Sequence, residues 1–321
     1  MRKRIFTIVV LTAVALLMNI DTVNAQSAQE ELYEKRFSLY RKTEAVTQVP
    51  WYMLAAIDQY ERNTQKDSDG NIVSIAVPDE LWYGAGNLMK LNENEAISLF
   101  QGKGKDGNGD GKANPGCPED VLFTVANMLL EEGHSEEDFK IALWKYYRRD
   151  LSVQTISNTA RVFKKFQRLD LNDRAFPVST KYNYSYRSTW GDKRGFGGRR
   201  IHEGTDIFAG YGVPVISSTY GVVELKGWNR FGGWRVGIRD IHNIYHYYAH
   251  LQSFTDIKIG QIVKPGDILG TVGSTGYGPP GTSGKFPPHL HYGMYKDNGT
   301  REWSFDPYPF LRKWERMEKS N

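Results

Sequence analysis

The sequence predicts an α+β multidomain protein, with an all-α N-terminal part followed by an antiparallel all-β part. Residues 27 to about 170 place apolar side chains at three- and four-residue spacing. From Arg174-Ala-Phe-Pro177 onward, short runs of Val, Ile and Tyr are punctuated by glycine roughly every six to ten residues. A length of 321 residues exceeds the usual single-domain size of about 100–150. Hydrophobic residues at 40% and charged residues at 24% suit packed cores and exclude extended disorder.

The chain opens on an export signature. Arg2-Lys3-Arg4 precedes a charge-free run from Ile5 to Ile20, and Val23-Asn24-Ala25 supplies small residues for cleavage. The run is shorter than the roughly 20 apolar residues that span a bilayer, so a cleaved signal peptide at 1–25 is expected rather than an anchor. No cysteine follows it, against a lipoprotein, and the lone Cys117 forbids an internal disulfide. Without residues 1–25 the chain keeps 38 basic and 36 acidic side chains. That balance, with a pI near 8.8, singles out neither nucleic acid nor membrane as a partner.

Helices are expected over Glu30–Ala45, Pro50–Thr64, Val121–Glu132, Glu136–Arg148 and Val153–Leu169. Ser135 with Asp138 three residues on marks a helix start of the capping-box kind. Strands are expected in Val213-Pro-Val-Ile-Ser217, Gly221-Val-Val-Glu-Leu225 and Trp234-Arg-Val-Gly-Ile238. The boundary falls near 170–177, giving a leader at 1–25, a helical part at 26–172 and a β part at 173–321. No internal repeat is visible.

Six of the seven histidines fall between positions 202 and 291. Gly204 disfavours a helix in His202-Glu-Gly-Thr-Asp206, so this motif reads as a turn entering the strand Ile207-Phe208. In His289-Leu-His291, strand alternation points both imidazoles to one side and Leu290 to the core. The same parity places His246, Tyr248 and His250 on one face. Two histidines and an aspartate suit a catalytic zinc site that keeps a fourth position open. From one strand, one of His289 and His291 binds while the other works on substrate. His134, His242 and His246 read as ordinary surface or core residues.

These motifs, ordered among the glycine turns Gly260-Gln-Ile-Val-Lys-Pro-Gly266 and Gly273-Ser-Thr-Gly276, resemble the lysostaphin-type (LytM-like) zinc peptidases that cut peptidoglycan stems or cross-bridges. The resemblance covers about residues 176–310. It implies that His202, Asp206 and His291 bind Zn2+ and that His250 and His289 are catalytic, with no departure at these five positions. It also implies an open groove, for which Gly276–Lys285 offers one wall or a plain solvated loop. Trp190, Trp228 and Trp234 would line the groove or fill the core. The helical part ahead of the peptidase is similar in arrangement to the sporulation-associated L-alanyl-D-glutamate peptidases, the LytH type.

Within the helical part, Val49-Pro-Trp-Tyr-Met-Leu-Ala-Ala-Ile-Asp-Gln-Tyr-Glu61 resembles the first helix of soluble lytic transglycosylases, and Trp144-Lys-Tyr-Tyr147 adds to the likeness. A lysozyme-like, glycan-binding fold is implied, with Glu61 as general acid or as a solvent-facing residue. Arg62, if turned toward Glu61, would lower its pKa and oppose acid catalysis. Asp106-Gly-Asn108-Gly-Asp110-Gly matches the start of a calcium loop, but Cys117 stands where a carboxylate is needed, with Asp120 as a substitute.

The expectation is therefore a secreted zinc endopeptidase acting on peptidoglycan in the cell wall or extracytoplasmic space, in wall or spore-cortex remodelling. The L-Ala–D-Glu bond is the expected target, and no nucleic acid or stable membrane partner is expected. The alternatives are a bifunctional hydrolase that also cuts glycan, and a non-catalytic wall-binding or interaction module.

Overall fold

The computed structural model describes residues 27–65, 70–195 and 198–320, so the expected signal peptide lies outside the described residues. Among the described residues no helix is long and apolar enough to cross a membrane. The helical region contains α1 (27–47), α2 (Trp51–Thr64), α3 (Asp79–Tyr83), α4 (Asn94–Leu99), α5 (Pro118–Leu130), α6 (Glu136–Tyr147) and α7 (Asp150–Phe166). The Ser135–Asp138 capping box forms as expected, the Ser135 hydroxyl accepting from the Asp138 amide at 3.1 Å. Helix α6 stops where Arg148 turns left-handed.

The strands are β1 (Tyr184–Tyr186), β2 (Lys193–Arg194), β3 (Arg200–Ile201), β4 (Thr205–Ala209), β5 (Pro214–Ile216), β6 (Gly221–Asn229), β7 (Gly233–Asp240), β8 (Ile244–Phe254), β9 (Ile262–Val263), β10 (Ile268–Val272), β11 (His289–Asp297) and β12 (Glu302–Phe305), followed by α8 (Tyr308–Ser320). Ten strands form one antiparallel sheet along the path β1-β4-β11-β8-β7-β6-β9. Strand β12 extends from β11, β10 joins β5 to β8, and β2 pairs with β3 alone.

The chain divides into two compact units. Of the described residues, one holds those up to Trp51, Gly70–Val73 and Val77–Asn127; the other holds 52–65, Ser74–Ala76 and those from Met128 onward. In the first, the Trp82 indole is fully buried and donates to the Ala113 carbonyl at 3.0 Å. In the second, α6, α7 and most of α2 share a compact body with the sheet. Arg149 at the start of α7 pairs with the buried Asp297 of β11 at 2.7 Å, and Asn63 of α2 donates to the Ile241 carbonyl at 2.8 Å.

The core of the β part comes from one side of the sheet, including Ile207, Val236, Tyr248, Leu290 and Tyr292, each 0% exposed. Helix α8 covers it with Leu311 and Trp314. This helix escapes the sequence reading because few of its residues are apolar and its buried stripe is narrow. Its Glu315 is turned inward and accepts from Tyr184 and Tyr186 at 2.7 and 2.6 Å.

Candidate active site

Strand register assembles the site. Antiparallel pairing sets Asp206 opposite His291 and Phe208 opposite His289, so these four side chains share the face away from the core, while Leu290 is buried within it. His202 arrives from the turn before β4, fixed by its amide donating to the Asp192 carbonyl at 2.9 Å and its Nδ1 bonding to the Thr189 carbonyl at 2.8 Å. Between them Gly204 is obligatory. A Cβ there would stand 2.6 Å from both His291 Cε1 and the Tyr292 carbonyl oxygen.

Three donor atoms converge. His202 Nε2 lies 2.8 Å from His291 Nδ1, and Asp206 Oδ1 lies 3.1 Å from each of them. The Thr189 carbonyl can accept only if His202 Nδ1 carries the proton, which leaves Nε2 as a lone pair aimed at a carboxylate oxygen. Such acceptors gather around positive charge. The spacing is close to the edge of about 3.3 Å expected for ligands about 2.0–2.1 Å from a tetrahedral zinc, and a histidine oriented by a backbone carbonyl is a common outer support of such sites. Among the described residues this trio is the group of His, Cys, Asp and Glu able to hold a metal.

Electrostatics agree with a cation-binding role. Burial opposes ionisation of Asp206, but its close contacts with His202 and His291 and the nearby His289 overcome it and hold the carboxyl well below its usual range. Its second oxygen, Oδ2, accepts from Arg194 Nη2 at 2.6 Å. Burial lowers the His291 pKa, against the pull of Asp206.

His250 and His289 stand beside the trio. Their ring centroids are 4.7 Å apart, and His289 Nε2 lies 3.9 Å from Asp206 Oδ1. Each ties Nδ1 to a backbone carbonyl, Thr275 for His250 and Pro287 for His289, both at 2.7 Å, so Nε2 is the nitrogen left for chemistry. Burial and the neighbouring His289 and His291 push the His250 pKa down to about 3 and keep that imidazole neutral at ordinary pH.

The parity reading of His246, Tyr248 and His250 is corrected here. His246 and Tyr248 pair with Met294 and Tyr292 on the core side. A bulge between β7 and β8 then intervenes, because Trp234 pairs with Leu251 while Val236 pairs with Tyr248. His250 takes a left-handed φ of 64° at this bulge, its amide bonding to Gly232, and its side chain turns to join His289 and His291. His246 stays in the core between Tyr292 and Asp240, at 2.6 and 3.2 Å. His134 is exposed and His242 sits in the β7–β8 turn.

A profile of peptidase family M23 matches residues 200–306. The L-Ala–D-Glu endopeptidase of Bacillus subtilis (strain 168) is 56% identical over 319 residues, covering 97% of this chain and 98% of that protein. This chain belongs to peptidase family M23. Lysostaphin of Staphylococcus staphylolyticus is 33% identical over 35% of the M23 chain and 22% of its own length. The solved catalytic domain of lysostaphin from Staphylococcus simulans is 30% identical with a TM-score of 0.33, covering 42% of this chain and 98% of that one.

Two cleft residues of this M23 peptidase stand outside the His and Asp motifs. Arg194, from the β2–β3 pair, holds Asp206, and Tyr277 stacks on His250 at 5.5 Å with planes 14° apart. Tyr277 comes from the Gly276–Lys285 loop and lines a cleft of about 500 Å3 with His202, Asp206, His250 and His291. The tryptophans do not line it. Trp228 packs edge-on against Trp234 at 5.2 Å, and Trp234 rests on the core.

In the helical region, Glu61 accepts from the Tyr147 hydroxyl at 2.6 Å and from Gln65 at 3.0 Å. Burial dominates these bonds and raises its pKa. Arg62 does not turn to Glu61; it pairs with Asp58 at 2.8 Å. The calcium expectation gains no support. Asp106 accepts the amides of Gly109 and Gly111, Asn108 and Asp110 accept amides two residues on, and Asp120 accepts those of Gly107, Asn108 and Asn114. These are the bonds of a self-sufficient polar turn.

Proposed function

We propose that this M23 peptidase hydrolyses the L-Ala–D-Glu bond of peptidoglycan stem peptides, outside the cytoplasm, in wall or spore-cortex remodelling. The observation that carries the reading is 56% identity along 97% of the chain to a peptidase named for that bond. His202, Asp206 and His291 are the proposed zinc ligands, supported by the convergence of their donor atoms. Bound zinc would supply Lewis acidity, polarising the scissile carbonyl and lowering the pKa of a water. His250 and His289, each with Nε2 free, would take the proton of the attacking water, steady charge on the carbonyl oxygen and return a proton to the leaving amine. Arg194 would keep Asp206 ionised and oriented. Residues 26–172 are proposed to grip glycan and residues 173–321 to form the peptidase, after removal of 1–25.

One observation favours a second reading, glycan cleavage by the helical part: the half-buried Glu61 has a raised pKa and its neighbour Arg62 is engaged elsewhere. One digest of purified wall tests both. In the first reading, new alanine carboxyl and glutamate amino ends appear by mass spectrometry, vanish with zinc content in His291→Ala, and persist in Glu61→Gln. New sugar ends lost in Glu61→Gln would establish the second reading beside it. Absence of new peptide ends from the zinc-loaded parent would overturn the first.

A further inference from the structure

We infer that the cleft contains a subsite, built from Arg200 and Arg235, that reads the free carboxylate of an acidic residue on the amine side of the scissile bond. The inference rests on the L-Ala–D-Glu reading and says how that bond is selected.

Substrate chemistry sets the requirement. A glutamyl residue within a chain uses its amine and one of its two carboxyl groups, so the other stays free and is ionised at neutral pH. Cleavage ahead of glutamate therefore brings a negative charge within one residue of the reacting carbonyl. The cleft already holds Asp206, Glu203 and Glu302. An anionic substrate entering it needs uncommitted cations.

Three arginines line the cleft, and one is committed. Arg194 bonds Asp206 at 2.6 Å. The acidic neighbours are engaged as well, Glu302 with Arg239 at 2.8 Å and Glu203 with the Tyr295 hydroxyl at 3.3 Å. Among the described residues, Arg200 and Arg235 form no ion pair with a carboxylate; the side-chain partners that face them are the neutral Tyr277 and Tyr247 hydroxyls. A guanidinium that lines a cleft and meets no carboxylate keeps its charge for an anion that enters.

Both guanidiniums are positioned close to the reacting groups. Arg200 lies over Phe231 at 4.9 Å and faces the Tyr277 hydroxyl, whose ring stacks on His250. Arg235 lies over Tyr247 at 5.9 Å, and that ring meets His291 edge-on at 5.9 Å. Each cation is thus one aromatic side chain away from a site histidine. On β7, Arg235 alternates with Val236 of the core, which turns it to the cleft face. A guanidinium held over a ring keeps its N–H edge available for the two-pronged bond that carboxylates accept.

The test uses zinc-loaded full-length protein and two synthetic stem peptides, one with the free glutamyl carboxylate and one with that group amidated. The parent is expected to cut the acid at a kcat/KM at least about tenfold above the amide, the scale of a charge-assisted hydrogen bond. Arg235→Gln and Arg200→Gln should each lower kcat/KM for the acid by about tenfold or more and leave the amide within about threefold, while Arg235→Lys keeps part of the preference. Binding to metal-free parent, measured by calorimetry, should favour the acid and weaken with salt. Equal cutting of acid and amide by the parent overturns the inference without needing any variant, and equal losses on both peptides overturn the assignment to these arginines. If the parent cuts neither peptide but opens another wall bond, the L-Ala–D-Glu reading itself has failed and the subsite falls with it.

Discussion

Gly204 shows how tightly the site constrains single residues. Its missing side chain makes room for the His291 ring and for the carbonyl of Tyr292, and both neighbours belong to a strand paired on two sides. Neither can retreat without disturbing β11. Gly204→Ala should therefore displace His291, weaken metal binding at least about tenfold and lower peptide hydrolysis in step. Overpacking should cost about 1–3 kcal/mol of stability. Chelator competition and urea unfolding check this, and parental metal affinity in the variant would refute it. The His-x-x-x-Asp and His-x-His positions are legible in sequence because their spacing follows strand alternation and a glycine turn. The contacts of Arg194 and Tyr277 are not, although the loop that carries Tyr277 is visible as a candidate groove wall. One depends on a two-stranded pairing and the other on a loop that folds back, and neither contact leaves a period in the chain. His250 is half legible: its identity is visible, but its direction depends on a bulge that reverses strand parity.

At the scale of elements, the turn between β7 and β8 is organised by Asp240. Its Oδ1 accepts the amides of His242 and Ile244 at 2.8 and 2.9 Å, and its Oδ2 bonds His246 Nε2 at 3.2 Å. Burial disfavours the Asp240 charge, yet His246, His242 and Arg174 together hold its carboxyl well below the usual carboxylate range. Burial also lowers His242 to about 4 and lowers His246. In the unfolded chain these histidines protonate near pH 6.5, so between about 6.5 and 4 the unfolded state binds more protons and stability falls as pH falls. Below about 4 the carboxylate adds a second loss, since its stabilisation is present above its unfolded pKa and disappears as pH falls toward its lowered folded pKa. Replacing His242 with Gln should flatten the first loss by a value on the order of 2–3 kcal/mol between pH 7 and 4, measured by urea unfolding against the parent under matched metal conditions. Parallel curves would disprove it. The main helices and strands around this turn follow from periodicity and glycine spacing. The short α3 and α4 and the charged α8 do not, because tertiary burial of single residues such as Trp82 and Trp314 holds them.

For the whole molecule, sequence texture and packing mark different divisions. Texture changes near 172, but α6, α7 and most of α2 belong to the same compact body as the sheet. The Arg149–Asp297 pair ties α7 to β11 within that body, with Asp297 fully buried and Arg149 half-buried. Around it, Asn158 donates to Glu224 at 3.0 Å and Arg161 to the Gly260 carbonyl at 2.6 Å. A buried carboxylate that loses its partner is costly, so Arg149→Met should destabilise this body by about 3 kcal/mol or more. A fragment beginning at Asp173 lacks Arg149 altogether and should unfold at a denaturant concentration no higher than this variant. The attribution is separable from loss of helix packing. If the cost comes from the orphaned charge, adding Asp297→Asn to Arg149→Met should restore a large part of the stability, because a neutral amide does not require a cation. Urea unfolding of the parent, the two single variants and the double variant decides it. A double variant no more stable than Arg149→Met would mean that packing of α7 on the sheet, and not the buried ion pair, joins the helices to the peptidase.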